Sequence, residues 1–435
     1  MATTNRKLKN TEVTHEGAAA VPITIVQQLE RSVMSCLLWE NTFYEDGESI
    51  AERICKLVEQ CDKAEVARIA IEAKRDMRLR HVPLLLAREL ARTKEGKKQL
   101  AKVIPEVIVR PDDITELLSM YFLEKKVHRQ PAKLPNQIRK HLALTWAKFS
   151  EYQLAKWNGG NKAVTLKDAM CLTHPKATSP EQAALWGRLI KGELNTPDTW
   201  EVEISASKNK LESWSRLLRE KKLGGLAMLR NIRNMREAGV DNKLIWDGIN
   251  EIKAGRLLPI NFISAAVHNP QFEPVIERKF LECFAEKEKI TGATTLLIDI
   301  SGSMDDKLSG RSELKRIDVA CSLAMIGAEL FEELRIFTFS NDVKEVPVRH
   351  GFALRDAIMT SQPHGGTNLG RAVSLMNRTD RLIVITDEQS HDPVEQRKGY
   401  MINVASNKNG VGYRQWTHID GWSDRVLNFI VRSEK

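Results

Sequence analysis

The sequence lacks most of the marks that would place it outside the cytoplasm. No apolar run approaches the roughly 18 residues needed to cross a bilayer, and the first twenty residues, MATTNRKLKNTEVTHEGAAA, hold no apolar core of a secretory signal. A cytoplasmic protein with no membrane partner is therefore expected. The six cysteines, Cys36, Cys55, Cys61, Cys171, Cys283 and Cys321, are scattered, with no CxxC pair and no histidine at zinc-site spacing. Neither a disulfide framework nor a zinc site is indicated, and most of these thiols have the apolar neighbours of reduced core residues. A P-loop, a nucleophile elbow and a Cys/His pair are also missing, so nucleophilic catalysis has no candidate.

What is present is an ordinary globular composition, 42 % hydrophobic and 28 % charged, in 435 residues, a length that calls for two or more domains. The net charge of +9 is unevenly placed. Residues 1–290 hold 48 Lys+Arg against 38 Asp+Glu, and residues 291–435 hold 18 against 19. Within the first part, residues 121–180 carry 11 basic and only 3 acidic side chains. A field of that sign over so short a stretch suits a polyanion.

From residue 23 to about 288 the apolar pattern is helical. Ile54, Leu57, Val58 and Cys61 fall at i, i+3, i+4, i+7, as do Leu100, Val103, Ile104 and Val107, and Ile114, Leu117, Leu118 and Tyr121. Ser179-Pro180-Glu181-Gln182 and Thr165-Leu166-Lys167-Asp168 carry helix-start chemistry. Successive amphipathic helices joined by short polar links predict stacked helical hairpins, while residues 1–22 are polar and aperiodic and read as a flexible tail.

Near residue 289 the period changes. Thr294 to Asp299, Leu334 to Phe339 and Arg381 to Thr386 are short continuous apolar runs, the pattern of strands buried on both faces. Helical stretches lie between them, at Ile317 to Leu330 and Asn368 to Met376; Tyr400 to Val404 reads as a further strand, and Ser423 as the cap of a last helix. Alternation of this kind predicts a doubly wound parallel α/β sheet over residues 289–435.

Ligands in such sheets bind outside the carboxyl ends of the strands. There the sequence places Asp299, Ser301 and Ser303 after the first strand, Thr367 in a Gly-Gly-Thr turn, and Asp387 after a later strand. Two carboxylates and three hydroxyls, with no His or Cys, make a site for one hard divalent cation, magnesium in the first instance, with hydroxyls as direct ligands and carboxylates holding coordinated waters. The set Asp-x-Ser-x-Ser, a later Thr and a later Asp resembles the metal-ion-dependent adhesion site of von Willebrand factor A domains. That resemblance implies a carboxylate from a partner protein as a further ligand.

The helical part resembles the TROVE module of the SS-A/Ro ribonucleoproteins, in particular their bacterial relatives. The stretches that carry the resemblance are LERSVMSCLLWENTFYEDG from Leu29, LPNQIRKHLALTWAKFSEYQLAKWN from Leu134, LKDAMCLTHPK from Leu166, TWEVEISAS from Thr199, LGGLAMLRNIRNMREAGV from Leu223 and RLLPINFISAAVH from Arg256. It implies a ring of HEAT-like helical repeats with a central hole over residues 23–288, closed by an A domain. It also implies Y-like noncoding RNA on the outer face, single-stranded ends of misfolded RNA in the hole, a role in RNA quality control or stress responses, and an exoribonuclease as a partner. By the same resemblance His174 matches a residue implicated in Y RNA contact, with Arg139, Lys140, Lys156, Lys162, Lys167 and Lys176 supplying positive charge around it.

Physical chemistry agrees with that assignment: lysine and arginine neutralise phosphates with little regard to sequence, and a loop imidazole stacks on a base or donates to a phosphate. Trp146 and Trp157 are aromatic candidates for base stacking, but Trp146 shares a helical stripe with Ile138, Leu142 and Phe149 and reads as core. Two other functions compete. One is a metal-dependent protein-binding scaffold; the other is a nuclease, disfavoured because no second carboxylate cluster exists for a two-metal site.

Overall fold

The computed structural model describes residues 24–34, 47–127, 134–159, 162–308, 313–376, 379–395, 397–405, 415–420 and 426–434. The tail read at 1–22 and the Ser423 cap lie outside them. Two compact units divide the chain: residues 51–208 form one, and residues 1–50 with 209–435 form the other.

The first unit is helical throughout. The helices Lys63–Arg75, Val82–Leu90 and Lys94–Val107 pack on one another, followed by Pro111–Val127, Asn136–Thr145, Glu151–Trp157, Leu166–Thr173 and Pro180–Lys191. The three stripes read from the sequence are all buried, from Ile54 to Cys61, Leu100 to Val107 and Ile114 to Tyr121. The starts are made by the expected side chains. Ser179 Oγ accepts from the Gln182 amide, and Thr165 and Asp168 cap each other reciprocally. Burial of the stripes supplies most of the helices' stability, since helices this short are marginal alone.

The second unit begins with the helix Ile25–Met34 and resumes with the helices Lys210–Arg219, Gly225–Glu237, Asn242–Asn250, Pro259–His268 and Glu273–Glu282. A six-stranded sheet follows: β1 Ile290–Asp299, β2 Phe331–Phe339, β3 Val343–Val346, β4 Arg381–Thr386, β5 Gly399–Asn403 and β6 Trp416–Asp420, in the order β3-β2-β1-β4-β5-β6. The expected parallel sheet needs one correction. β3 pairs antiparallel with β2, so the sheet is mixed, with an antiparallel edge. Both β3 and β6 escaped the sequence reading because each is only four or five residues long and holds no more than two aliphatic residues.

The order fixes where function can sit. β1 lies between β2 and β4, both parallel to it, so the chain leaves β1 on one side and returns on the other. That reversal opens a crevice at the carboxyl ends of β1 and β4. Beneath it Leu297, Phe339, Val384 and Met401 form the sheet's core with Leu369 and Val373. The helix Arg316–Leu330 packs on β1 and β2 and is covered on its other side by Pro259–His268, which explains why nearly every residue of it is buried. The helix Ile25–Met34 packs against the edge strand β6. Of the five cysteines among the described residues, all are free thiols; Cys61 and Cys321 are core, as expected, whereas Cys171 is exposed.

Candidate metal centre and nucleic-acid interface

The five oxygen ligands expected from the sequence converge on the crevice of the second unit. Asp299 ends β1, and its fully buried carboxylate accepts the Ser301 amide at Oδ1 (2.8 Å) and the Thr386 hydroxyl at Oδ2 (2.6 Å). The Ser301 and Ser303 hydroxyls lie 3.3 Å apart. Neighbouring ligands of an octahedral magnesium ion, with bonds of about 2.1 Å, are separated by about 3.0 Å. The Gly302 amide donates to the Gly365 carbonyl (2.9 Å), tying the serine loop to the turn that carries the buried Thr367. His391 in turn donates its amide to the Thr367 carbonyl (3.1 Å), which links that turn to the loop after β4 and Asp387. A Cβ at Gly365 would lie 2.4 Å from the Asn341 amide and would displace that side chain, whose Oδ1 accepts the Gly366 amide (2.9 Å).

The electrostatics of the crevice are those of a site short of positive charge. Burial, reinforced by the neighbouring Asp387, pushes the Asp299 carboxyl up to about 7. Burial also raises Asp387, against the pull of Arg316. Two buried carboxylates that resist ionisation in each other's company are relieved by a cation. Asp387 Oδ1 is buried without a hydrogen-bond partner among the described residues, an acceptor that suits a metal-bound water. No three His, Cys, Asp or Glu side chains among the described residues are placed to hold a metal ion by themselves, so a metal centre here would draw on hydroxyls.

Three participants were not legible in the sequence. Arg316, itself buried, donates to Asp387 Oδ2 (2.7 Å) and to the Ser303 carbonyl (3.1 Å). Nothing in its spacing from Asp387, 71 residues away, announces that pair. Thr386 reads only as the last residue of a strand, yet its hydroxyl also accepts the Glu388 amide (3.0 Å). Glu388 holds a left-handed backbone, φ 64°, unusual for a side chain with a Cβ, and its buried carboxylate pairs with His418 of β6. Burial, with Arg31 adding to it, keeps His418 well below the ordinary imidazole range.

The first unit carries the basic residues. Arg139 and Lys140 are exposed on the helix Asn136–Thr145, which packs against Leu166–Thr173, where Lys167 is exposed as well. His174 caps the latter helix in the left-handed conformation, φ 50° and ψ 57°, and its amide donates to the Met170 carbonyl. The ring is exposed and has no hydrogen-bond partner among the described residues; Lys176 follows, also exposed. The position is fixed from below. Buried Trp146 donates from Nε1 to Thr173 Oγ1 (3.0 Å), and Thr173 donates on to the Ala169 carbonyl (2.7 Å). Trp146 is core, as its stripe predicts.

Two lysines sit differently from an open basic face. Lys162 is half-buried, with Nζ donating to the Trp157 carbonyl (2.7 Å), and Lys156 is half-buried with Nζ 5.9 Å from the Trp157 ring centre. The Arg110 guanidinium also engages that ring, 4.8 Å from its centre. Two of the three acidic residues of 121–180 are already committed, Glu151 to Arg188 (2.6 Å) and Asp168 to the cap of Thr165. Burial and the charge of Lys140 hold His141 below its usual value, in keeping with a positive local field.

Residues 183–279 match the family model described as the TROVE domain. The fold is similar to that of a solved structure from Deinococcus radiodurans, its RO (RSR) protein, with a TM-score of 0.64 and 16 % identity, over 95 % of this chain and all of that one. An aerotolerance-related membrane protein from Bacteroides fragilis aligns with 33 % of this chain and 98 % of its own at 13 % identity, but its TM-score of 0.26 carries no argument.

Proposed function

We propose, from the TROVE-domain match over residues 183–279 and the fold shared with the RO (RSR) protein, that this chain is a TROVE-domain protein of the bacterial Ro type, binds RNA through the basic helices around His174 and serves as the protein of a small ribonucleoprotein. The observation that carries this reading is the exposed imidazole of His174, at the end of a helix anchored through Thr173 and Trp146 that carries exposed Lys167 at its start and is followed by exposed Lys176. An imidazole presented that way can donate to a phosphate or stack on an unpaired base, while the surrounding cations supply affinity without sequence preference. The ligands are structured, Y-like noncoding RNA and the single-stranded ends of misfolded RNA, in RNA quality control or a stress response. On this reading the chain catalyses no reaction itself, and an exoribonuclease is the partner to which bound RNA is passed.

The metal centre has a separate role. Ser301, Ser303 and Thr367 would hold a magnesium ion directly, with Asp299 and Asp387 holding its waters. The ion would supply Lewis acidity and positive charge for an outside oxygen ligand. Together with Arg316, a divalent ion leaves one net positive charge beside the two carboxylates, which favours an anionic ligand such as a carboxylate from a protein partner. Those protein contacts are where the scaffold reading survives; the nuclease reading finds no second carboxylate cluster among the described residues to rest on.

The test is a competition among three RNAs: a hairpin with a free 3′ tail, the same hairpin with its tail annealed, and a folded Y-like RNA. The tailed hairpin should bind more tightly than the annealed one, and His174→Ser should weaken the folded RNA more than the tail. Failure of the full-length protein to bind any of the three would refute RNA binding.

A further inference from the structure

Away from both sites, in the second unit, the helices Gly225–Glu237 and Pro259–His268 leave an open cleft of ≈ 360 Å³ between them. Small organic groups are commonly held in clefts upward of about 300 Å³. The apolar part of its wall is built from Leu226, Leu229, Ile260, Ala265 and Leu314, and Asn234, Asn261 and Ser264 add polar groups beside it. Arg230 and Arg233 line it and are exposed, while at another point of its edge His268 Nδ1 lies 3.5 Å from the Glu313 carboxylate. One lining group is anomalous. Asn269 is 3 % exposed; its Nδ2 donates to the Ala265 carbonyl (3.0 Å), which fixes the amide, and its Oδ1 is buried with no partner among the described residues. A buried acceptor in that state is costly, and a donor from a ligand relieves it.

We infer that this cleft receives one unpaired RNA base carrying an exocyclic amine, that is cytosine, adenine or guanine and not uracil. The amine donates to Asn269 Oδ1, the ring lies between the apolar walls, and the flanking phosphates are held by Arg230 and Arg233. The inference rests on the RNA-binding reading and adds a base preference to it. Apolar walls accept the faces of a splayed-out base, and an amide reads its edge. Uracil fits poorly, because its one ring N–H is flanked by two carbonyl oxygens that meet Oδ1 with like partial charge. The arginines favour a strand over a lone nucleoside, since they can take phosphates on both sides of the base.

The experiment compares oligocytidylate with oligouridylate of equal length, two unstacked pyrimidine strands that differ at the reading edge, on the full-length protein. Cytidylate should bind about three- to ten-fold more tightly, the range of one hydrogen bond to a buried acceptor. Asn269→Leu should bring the two within about two-fold, the scale of no net hydrogen bond. Asn269 also ends a helix, so Leu226→Trp, which fills the cleft and leaves the Asn269 amide in place, is the second variant and should level the two strands as well. Arg230→Gln with Arg233→Gln should weaken both strands equally. Equal binding of the two strands by the parent overturns the inference, and so does a preference that survives both Asn269→Leu and Leu226→Trp. Cytidine monophosphate alone should bind far more weakly than the strand; equal affinity would overturn the assignment to a strand. If neither oligonucleotide binds at all, the RNA reading itself fails, a result distinct from binding without preference.

Discussion

Replacing Asp299 by asparagine should make the metal-free protein more stable and the magnesium-loaded protein less responsive. In the folded protein this carboxyl is pushed up to about 7 by burial and by Asp387, against about 3.9 in an unfolded chain. The folded state therefore binds the extra proton between those values. Stability of the metal-free parent is greatest below about pH 4, falls as pH rises through the interval, and levels off above about 7. At 1.36 kcal/mol per unit the penalty at pH 8 is at most about 4 kcal/mol. Asparagine carries no charge to desolvate and keeps an oxygen for the Ser301 amide, so that penalty and its pH slope should both vanish. Magnesium acts in the opposite sense, because it favours the ionised carboxylate. At about a hundred times its dissociation constant, it would stabilise the parent by about 2.7 kcal/mol and the variant by almost nothing. Thermal melts of both proteins from about pH 4.5 to 8.5, in chelator and in magnesium, measure both the penalty and the metal response. A variant less stable than the parent in chelator at pH 8, or a magnesium response that survives the substitution, would refute the reasoning.

Other expectations concern the helical unit. Glutamine in place of Arg139, Lys140, Lys167 or Lys176 should lower the slope of log affinity against log salt by about 0.7 to 0.9 for each phosphate that the replaced cation neutralises in the parent. Lys162→Gln should lower it less, because that ammonium is engaged by the Trp157 carbonyl; anisotropy titrations with a labelled RNA would read both. Thr173→Val leaves the buried Trp146 indole without its acceptor, at a cost of about 1 to 3 kcal/mol in denaturant unfolding. The same change should weaken binding of folded RNA by loosening the base of His174.

Much of the architecture was legible because burial writes a period into the sequence. The stripes through Leu57, Val103 and Leu117 are buried as read, and the apolar runs ending at Asp299 and Thr386 are strands with those residues at their ends. The candidate metal ligands were proposed from a pattern that is equally local, oxygen side chains following a strand end, and the strand ends at Asp299 and before Asp387 lie where that pattern needs them. Arg316 and the Glu388–His418 pair were not, because each joins residues far apart in the chain whose meeting is decided by packing. The antiparallel edge β3 has too few apolar residues to signal itself. Charge was legible as composition but not as availability: Lys156 and Lys162 count equally with Lys167 in the sequence, and only packing separates those engaged by Trp157 from those that are exposed.

The most direct test of RNA binding by the basic helices is its salt dependence in two proteins, the parent and Asp299→Asn, each titrated with the tailed hairpin in magnesium between about 50 and 200 mM salt. A steep decline in affinity with salt, the same for both proteins, is the predicted result if, as proposed, RNA is bound by the basic helices and not by the crevice at β1 and β4. A weak, salt-insensitive interaction in the parent, or loss of binding in a folded Asp299→Asn protein, would contradict it.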